Sequence, residues 1–498
     1  MSNPQIEQLV KEYSDQFDYS QKETVIILAA GHGKRIKSQT SKMLHKIWEV
    51  PTVERVYNAC RKSLGDANII IVVGIKAEDV IKFIGRRNNL LYAYQETQNG
   101  TGHAAQVALE GIDESKYNGG IYVFPGDMGL IDAETINSFH EKFVNADSDM
   151  IVLTGIYEGA AEDNYYGRIV RVKQNKKTAK TNVADGPVLE IIEYKDIINL
   201  NDIKPYKIKI NRKEYSYTKK ELLDLSEYNS GVFGFKSAPL FEQINNIQSN
   251  NVQNEIYLTD LIYLFNKSGY TVDAVNPKNQ YVVMGFNNKS VLNEMEKIAR
   301  TNVYENLKDI ITIDDPDDFF IDESVIDQIL EMDNEGVPLD IKIGKGVYVG
   351  KGTVLNKNLN LMKNVYLSGG VKLGMNVTIR ENARLTCFYG QNIEVGNNTE
   401  IYWGDSIKGN VKIGDNCSIE SGVRITGSDE FPVVIGNNVT IKGFSYILGS
   451  KIGDNIFIEH SVLIKKVISK PADSKHEIFK VRFYTPGPEG IEAVKDLK

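Results

Sequence analysis

The sequence predicts an α/β domain with a largely parallel sheet, followed by a parallel β-helix of six-residue repeats. Three observations carry this. From Thr24 to about Arg300, short apolar runs rich in Val and Ile alternate with segments whose apolar residues fall at helical spacing. The run Val25–Ala30 empties directly into Gly31-His32-Gly33-Lys34-Arg35, with Lys42 closing the segment. From Ile341 to about Lys466, aliphatic residues recur every six positions between Gly/Asn-rich turns.

Size and composition set bounds. A chain of 498 residues is too long for one ordinary domain. Its composition, 42% hydrophobic and 25% charged, is that of a globular protein. The net charge of −8 argues against a general nucleic-acid or membrane-surface binder, since both need a basic excess. It leaves room for a local basic pocket. Cys60, Cys387 and Cys417 lie far apart without C-x-x-C spacing, which suits free thiols in a reducing compartment. The polar start MSNPQIEQLVKEYSDQF has no apolar core of a secretion signal, and no run approaches the roughly 20 apolar residues of a membrane span. A cytoplasmic protein is expected.

The elements follow in order. Residues 1–22 read as an amphipathic helical extension and spacer. Residues 23–304 hold the α/β domain, with strands at Val25–Leu28, Asn68–Val73, Leu90–Tyr94, Ile121–Phe124 and Met150–Leu153. Helices are expected at Val53–Leu64, Ala104–Leu109 and Ala133–Phe143. Two polar insertions, near 173–187 and 199–225, read as surface elaborations without chemistry. Residues 305–338 are acidic and read as a linker with one helix; Asp315–Asp318, interrupted by Pro316, reads as a solvated run. The β-helix is placed at 339–468. Its aliphatic columns include Ile413, Ile419 and Ile425, then Ile435, Ile441 and Ile447, then Ile452, Ile458 and Ile464. Residues 469–498 lose the period and form a tail, a cap or arm.

The loop after the first strand is a phosphate cradle by its chemistry. Glycines let the backbone approach a ligand, with N–H groups free for phosphate oxygens, and Arg35 and Lys42 add two cations. The spacing is neither the dinucleotide fingerprint, because Ile36 stands where a third glycine is needed, nor a Walker A loop. Arg35 suits leaving β/γ-phosphates through its fork of donors, and Lys42 suits a bridge between an α-phosphate and an attacking phosphate. Asp127, just past the fourth strand, is placed to hold Mg²⁺ through a hard oxygen, and Asn287 adds a neutral one. Gln95 to Gly102 leaves another strand for a helix; its amides suit a base edge, and Gly100 and Gly102 allow close approach.

The segments LAAGHGKRIKSQTSK, QETQNGTGHAAQVAL, PGDMGLI, YYGRIVR, EIIEYKDI, YNSGVFGF, NEIYLTDLI and GFNNKSVL occur here in the order of the bacterial N-acetylglucosamine-1-phosphate uridyltransferase family. The resemblance covers residues 24–300 motif by motif, and beyond 340 by architecture only. It implies a Rossmann-like, GT-A-like nucleotidyltransferase domain followed by a left-handed parallel β-helix. It implies that Ala29, Gly31, Gln95, Gly100 and Thr101 contact the uridine nucleotide, and that Arg35 and Lys42 serve the phosphates as catalytic groups. Asp127 and Asn287 would hold Mg²⁺, and Gly167, Glu193 and Asn229 would contact N-acetylglucosamine. The chain departs from the family pattern at Ser41, Pro125 and Met128-Gly129. His45 and His103 read as packing or helix residues. The expected reaction joins UTP and N-acetylglucosamine 1-phosphate into UDP-N-acetylglucosamine and pyrophosphate. The alternatives are the same chemistry on glucose or N-acetylgalactosamine 1-phosphate, or a β-helix scaffold with a degenerate nucleotide-binding domain. The acetyltransferase signatures usual in the family's β-helix are missing, and His460, the only histidine in the repeats, reads as a rung-edge residue. The helix is then expected to drive self-association, as a trimer, or to bind another ligand.

Overall fold

The computed structural model describes residues 3–31, 33–172, 186–210 and 212–483. Most of the first insertion (173–185) and the last part of the tail (484–498) therefore lie outside the described residues. The chain divides into two units, Met1–Glu296 and Lys297–Lys498, with the division inside the helix Lys289–Leu307.

The first unit is built on a nine-stranded mixed sheet. Its strands are β1 (Glu23–Ala29), β2 (Asn68–Val73), β3 (Leu90–Tyr94), β4 (Gly120–Pro125), β5 (Met150–Ile156), β6 (Arg168–Arg171), β7 (Val188–Ile192), β8 (Glu227–Lys236) and β9 (Val272–Val275). The main order is β9-β5-β8-β4-β1-β2-β3, with β6 pairing β8 and β7. The pairs β1–β2, β1–β4, β2–β3 and β9–β5 are parallel, and β8 runs antiparallel to β4 and β5. The all-apolar reading of β1 and β2 follows from burial on both faces. Val25, Ile27 and Ala29 join one core with Val56, Cys60 and Phe139, from helices Thr52–Leu64 and Ala133–Ala146. Ile26 and Ala30 join the other with Ala105, Leu240 and Phe265, from helices Thr101–Leu109, Ser237–Ile244 and Asp260–Ser268. The N-terminal extension forms the helix Pro4–Tyr13, capped by the Asn3 side chain, and sets Ile6 into the first core. The second insertion folds into a hairpin, Tyr206–Ile210 with Lys213–Tyr217, and a helix with a capping box at Thr218. Ile208, Tyr217 and Leu222 share a small core with Val170, Leu189 and Ile192 of β6 and β7.

The second unit stacks three parallel sheets of nine, eight and six strands. The complete coils pass once through each sheet, so aliphatic residues stack in columns: Ile413, Ile419, Ile425, Ile435, Ile441 and Ile447 are all buried. One corner carries a left-handed asparagine in successive coils, at 358, 376, 398, 416, 438 and 455. Side-chain amides link Asn358, Asn376, Asn398 and Asn416 along this corner. Along this corner the spacing is 18, 22, 18, 22 and 17 residues, the longer steps falling where loops bulge outward, as between Asn376 and Asn398. Cys417 fills a buried slot, its thiol donating to the Gly436 carbonyl.

The structure corrects one column. Ile464 is exposed, and Leu463 takes the buried place, paired with Ile447. The step from Ile458 to Leu463 is one residue shorter than the repeat, and since side chains alternate faces, the strict six-residue count lands on the wrong face. The stretch read as a linker already supplies coil strands: Thr312–Ile313 pairs Ile341–Ile343, and Phe319–Ile321 pairs Val347–Val349. Asp315 in the acidic run is paired with Lys345 at 2.8 Å. The start of the tail adds the strand Phe479–Val481 to the end of the nine-stranded sheet.

Candidate active site

Because β1, β2, β3 and β4 are parallel, their carboxyl ends emerge at one edge, the usual ligand edge of such sheets. The loop after β1 turns through Gly33 at φ 60° into the short 3₁₀ helix Lys34–Ile36. A Cβ on Gly33 would lie 2.9 Å from the Lys42 Cβ, so this turn closes tightly against the lysine. Lys42 opens a second 3₁₀ turn, Lys42–Leu44. Ser41, at its N-terminal boundary, has φ −54° and ψ 138°, the conformation a proline would impose, so the departure from the family pattern leaves the backbone path intact.

The structure brings Lys42, Asp127 and Asn287 together. The Lys42 ammonium donates to Asp127 Oδ2 at 2.5 Å and to Asn287 Oδ1 at 3.1 Å, and lies 5.3 Å from the centre of the Phe286 ring. The side chains of Lys42 and Asp127 are only 10% and 15% exposed, which strengthens their attraction. Gly126 donates its N–H to the Leu28 carbonyl, and Gly285 lies so close to Asp127 that a Cβ would sit 3.3 Å from its oxygens. Two oxygens from distant segments therefore converge on one cation.

A second group forms after β3. Gln95 is buried; its side-chain amide donates to the Gly100 carbonyl at 3.0 Å and to His103 Nδ1 at 3.2 Å. His103 is thus a brace for Gln95, in keeping with its reading as a helix residue. The backbone N–H of Gly102 donates to the Ile256 carbonyl, and that of Leu258 to the Thr101 hydroxyl. Gly100 has φ 103°, and a Cβ there would meet the Ile256 carbonyl at 2.5 Å, so glycine is required.

The third group contains Gly167, Glu193 and Asn229. Asn229 N–H donates to the Gly167 carbonyl at 2.8 Å, and a Cβ on Gly167 would lie 2.9 Å from Glu193 Oε1. Burial first, and then the nearby Asp196 charge, push the Glu193 carboxyl up to about 7. Tyr166, directly before Gly167, is stacked on Tyr228 at 4.4 Å. Burial, and then the Asp127 charge, raise its phenol pKa.

Three expected contacts remain outside these clusters. The side chain of Ala29 is packed in the core, so only its backbone can face a ligand. Gly31 and Arg35 stand exposed on the loop. Arg168 lies inside the YYGRIVR segment, where the residue types alone assign it no role. It is fully buried and donates to the carbonyls of Tyr166 and Asn164, fixing the loop that carries Gly167. An arginine between Gly and an Ile-Val run was the available signal. His45 is partly buried beside Phe286, and its pKa is lowered, first by burial.

Residues 25–162 match the model described as a MobA-like NTP transferase domain. The bifunctional protein GlmU of Acetivibrio thermocellus is 33% identical over 304 residues, covering 60% of this chain and 57% of that one. GlmU of Clostridium tetani is 33% identical over 303 residues, covering 60% and 58%. The chain thus spans a little over half the length of the curated relatives it matches. A solved UDP-glucose pyrophosphorylase in complex with UDP-glucose aligns with a TM-score of 0.40 and 14% identity, over 56% of this chain and 99% of that one. Over residues 25–162 the N-terminal unit is thus similar to MobA-like NTP transferase domains, and over about 300 residues the chain is similar to GlmU proteins.

Proposed function

We propose that the chain is a Mg²⁺-dependent nucleotidyltransferase that joins UTP and N-acetylglucosamine 1-phosphate into UDP-N-acetylglucosamine, with release of pyrophosphate. The observation that carries this is the convergence of Asp127 and Asn287 on the Lys42 ammonium beside the glycine loop. One carboxylate and one amide oxygen already turned onto a cation form a hard donor set that fits Mg²⁺, with substrate phosphates and water completing its shell. The metal would neutralise charge on the phosphates as the leaving group departs.

The chain's own residues have separable tasks. A sugar-phosphate oxygen attacks the α-phosphorus of UTP, the bond to the β-phosphate breaks, and pyrophosphate leaves with the electron pair. Lys42 exchanges its carboxylate partner for non-bridging phosphate oxygens, where negative charge accumulates in the transition state. Arg35, exposed on the loop, reaches the β/γ-phosphates. Gln95, Gly100 and Thr101 hold the uridine side; Gly167, Glu193 and Asn229 hold the sugar hydroxyls and amide. Ala29 and Gly31 contribute backbone. The β-helix is assigned to self-association as a trimer, without acetyl transfer: His460 is exposed on a left-handed corner and bonds the Gly443 carbonyl through Nδ1.

The test is pyrophosphate release by the purified protein with Mg²⁺ and a panel of sugar 1-phosphates crossed with UTP and dTTP. Turnover highest with UTP and N-acetylglucosamine 1-phosphate supports the reading, and absence of turnover with every pair refutes it. Acetyl-CoA with glucosamine 1-phosphate should release no free thiol.

A further inference from the structure

Two tyrosines beside the Glu193 group have no role in the chemistry above, yet their setting is rigid. Tyr165 is 67% exposed, and its ring meets that of Tyr194 edge-on, with centroids 5.2 Å apart and planes at 85°. Tyr194 directly follows Glu193 and opens the helix Tyr194–Ile198. Tyr165 lies two residues before Gly167, whose Cα is pressed against the Glu193 carboxylate. The loop under Tyr165 is fixed on both sides. The buried Arg168 guanidinium holds the carbonyls of Asn164 and Tyr166, and Asn164 Oδ1 accepts from the Tyr166 N–H at 3.2 Å. The same guanidinium lies 6.0 Å from the Tyr194 ring centre.

An exposed ring on a mobile loop would carry no message, since single exposed apolar side chains are ordinary. This ring stands on a backbone held by a buried cation and is braced by a second ring, while, two residues on, Gly167 meets Glu193 and Asn229. That combination is complementary to a pyranose. Hydroxyls and an amide satisfy the polar groups, while the C–H face of the sugar lies against an aromatic surface. Fixing the loop beforehand lowers the ordering cost of binding.

We propose that Tyr165, braced by Tyr194, is the aromatic wall of the sugar pocket and a determinant of sugar affinity. This rests on the nucleotidyltransferase reading, so the experiment separates the two. Calorimetric titrations with Mg²⁺ would compare UTP and UDP-N-acetylglucosamine on the full chain and on its Tyr165→Ala and Tyr165→Phe variants. We expect Tyr165→Ala to weaken UDP-N-acetylglucosamine about tenfold while UTP changes less than about twofold, and Tyr165→Phe to retain wild-type affinity for both. The wall is overturned if Tyr165→Ala leaves sugar-nucleotide binding unchanged, if it weakens both ligands alike, or if Tyr165→Phe behaves as the alanine variant. A wild-type chain that binds neither ligand refutes the nucleotidyltransferase reading and the wall with it. Wild-type binding of UTP with intact variants and no sugar effect refutes the wall alone.

Discussion

The two units hold themselves together over different distances along the chain. In the first, the cation seat joins Lys42 to Asp127, 85 positions on, and to Asn287, 245 positions on. In the second, the corner amides join residues 18, 22 or 17 positions apart, coil after coil. A site assembled from distant segments depends on the whole sheet being in register. A stack of coils depends only on its neighbours, so damage should stay local. Chemistry sits where many segments converge, and the repetitive region supplies stability in small equal portions.

Four experiments would break or sharpen that contrast. Lys42→Ala should lower kcat by about 10²–10³-fold, as loss of one preorganised charge does. Its thermal unfolding midpoint should fall modestly, since the Asp127 carboxylate, only 15% exposed, loses its cation; pyrophosphate release and a melting curve check both. Ile441→Ala, deep in a column, should cost about 2–5 kcal/mol of local stability. Hydrogen exchange should show the loss confined to adjacent coils, while turnover is unchanged; loss spread across the first unit would refute the local picture.

Asp405 offers a test by pH. It is buried in the coil stack with Oδ1 accepting from the Val423 N–H at 2.8 Å and Oδ2 unpaired, and burial pushes its carboxyl up to about 8. Its folded-state value lies above the unfolded one near 3.8, so the folded unit binds the proton more tightly. The stability contributed by protonation is complete below pH 4 and is lost as pH rises through 8, with a slope of at most about 1.4 kcal/mol per pH unit. Asp405→Asn should flatten that dependence in denaturant melts run from pH 5 to 9. The smallest effect is expected at the corner: Asn416→Ala, at φ 54°, should cost about 1 kcal/mol, and Asn416→Gly close to nothing.

Much of this was legible in the sequence, for physical reasons that also mark where legibility ends. The strands Asn68–Val73 and Leu90–Tyr94 match to the residue because both, the first inside the sheet and the second at its edge, are nearly continuous apolar runs between polar residues. The aliphatic period exposed the β-helix, since every coil repeats one burial rule. It misplaced Ile464 because a one-residue shortening leaves composition untouched while reversing the face. The residue types of the site were readable, but the ion pair between Lys42 and Asp127 was not. Nothing local tells a lysine 85 positions away that its partner in the free protein is the carboxylate expected to bind metal. Arg168 was hidden for a related reason: its partners are backbone carbonyls, which carry no sequence signature.

The longer coils carry a last lesson. Between Asn376 and Asn398, and again between the neighbouring pair Asp415 and Asn437, four extra residues enter a turn, yet the corner hydrogen bonds resume in register. The added chain leaves through one vertex of the triangle and returns to it, so the walls above and below never sense its length. The stack is therefore a shaft that accepts appendages at fixed heights. New recognition surfaces can be grafted there, one at a time, without renegotiating the fold that bears them.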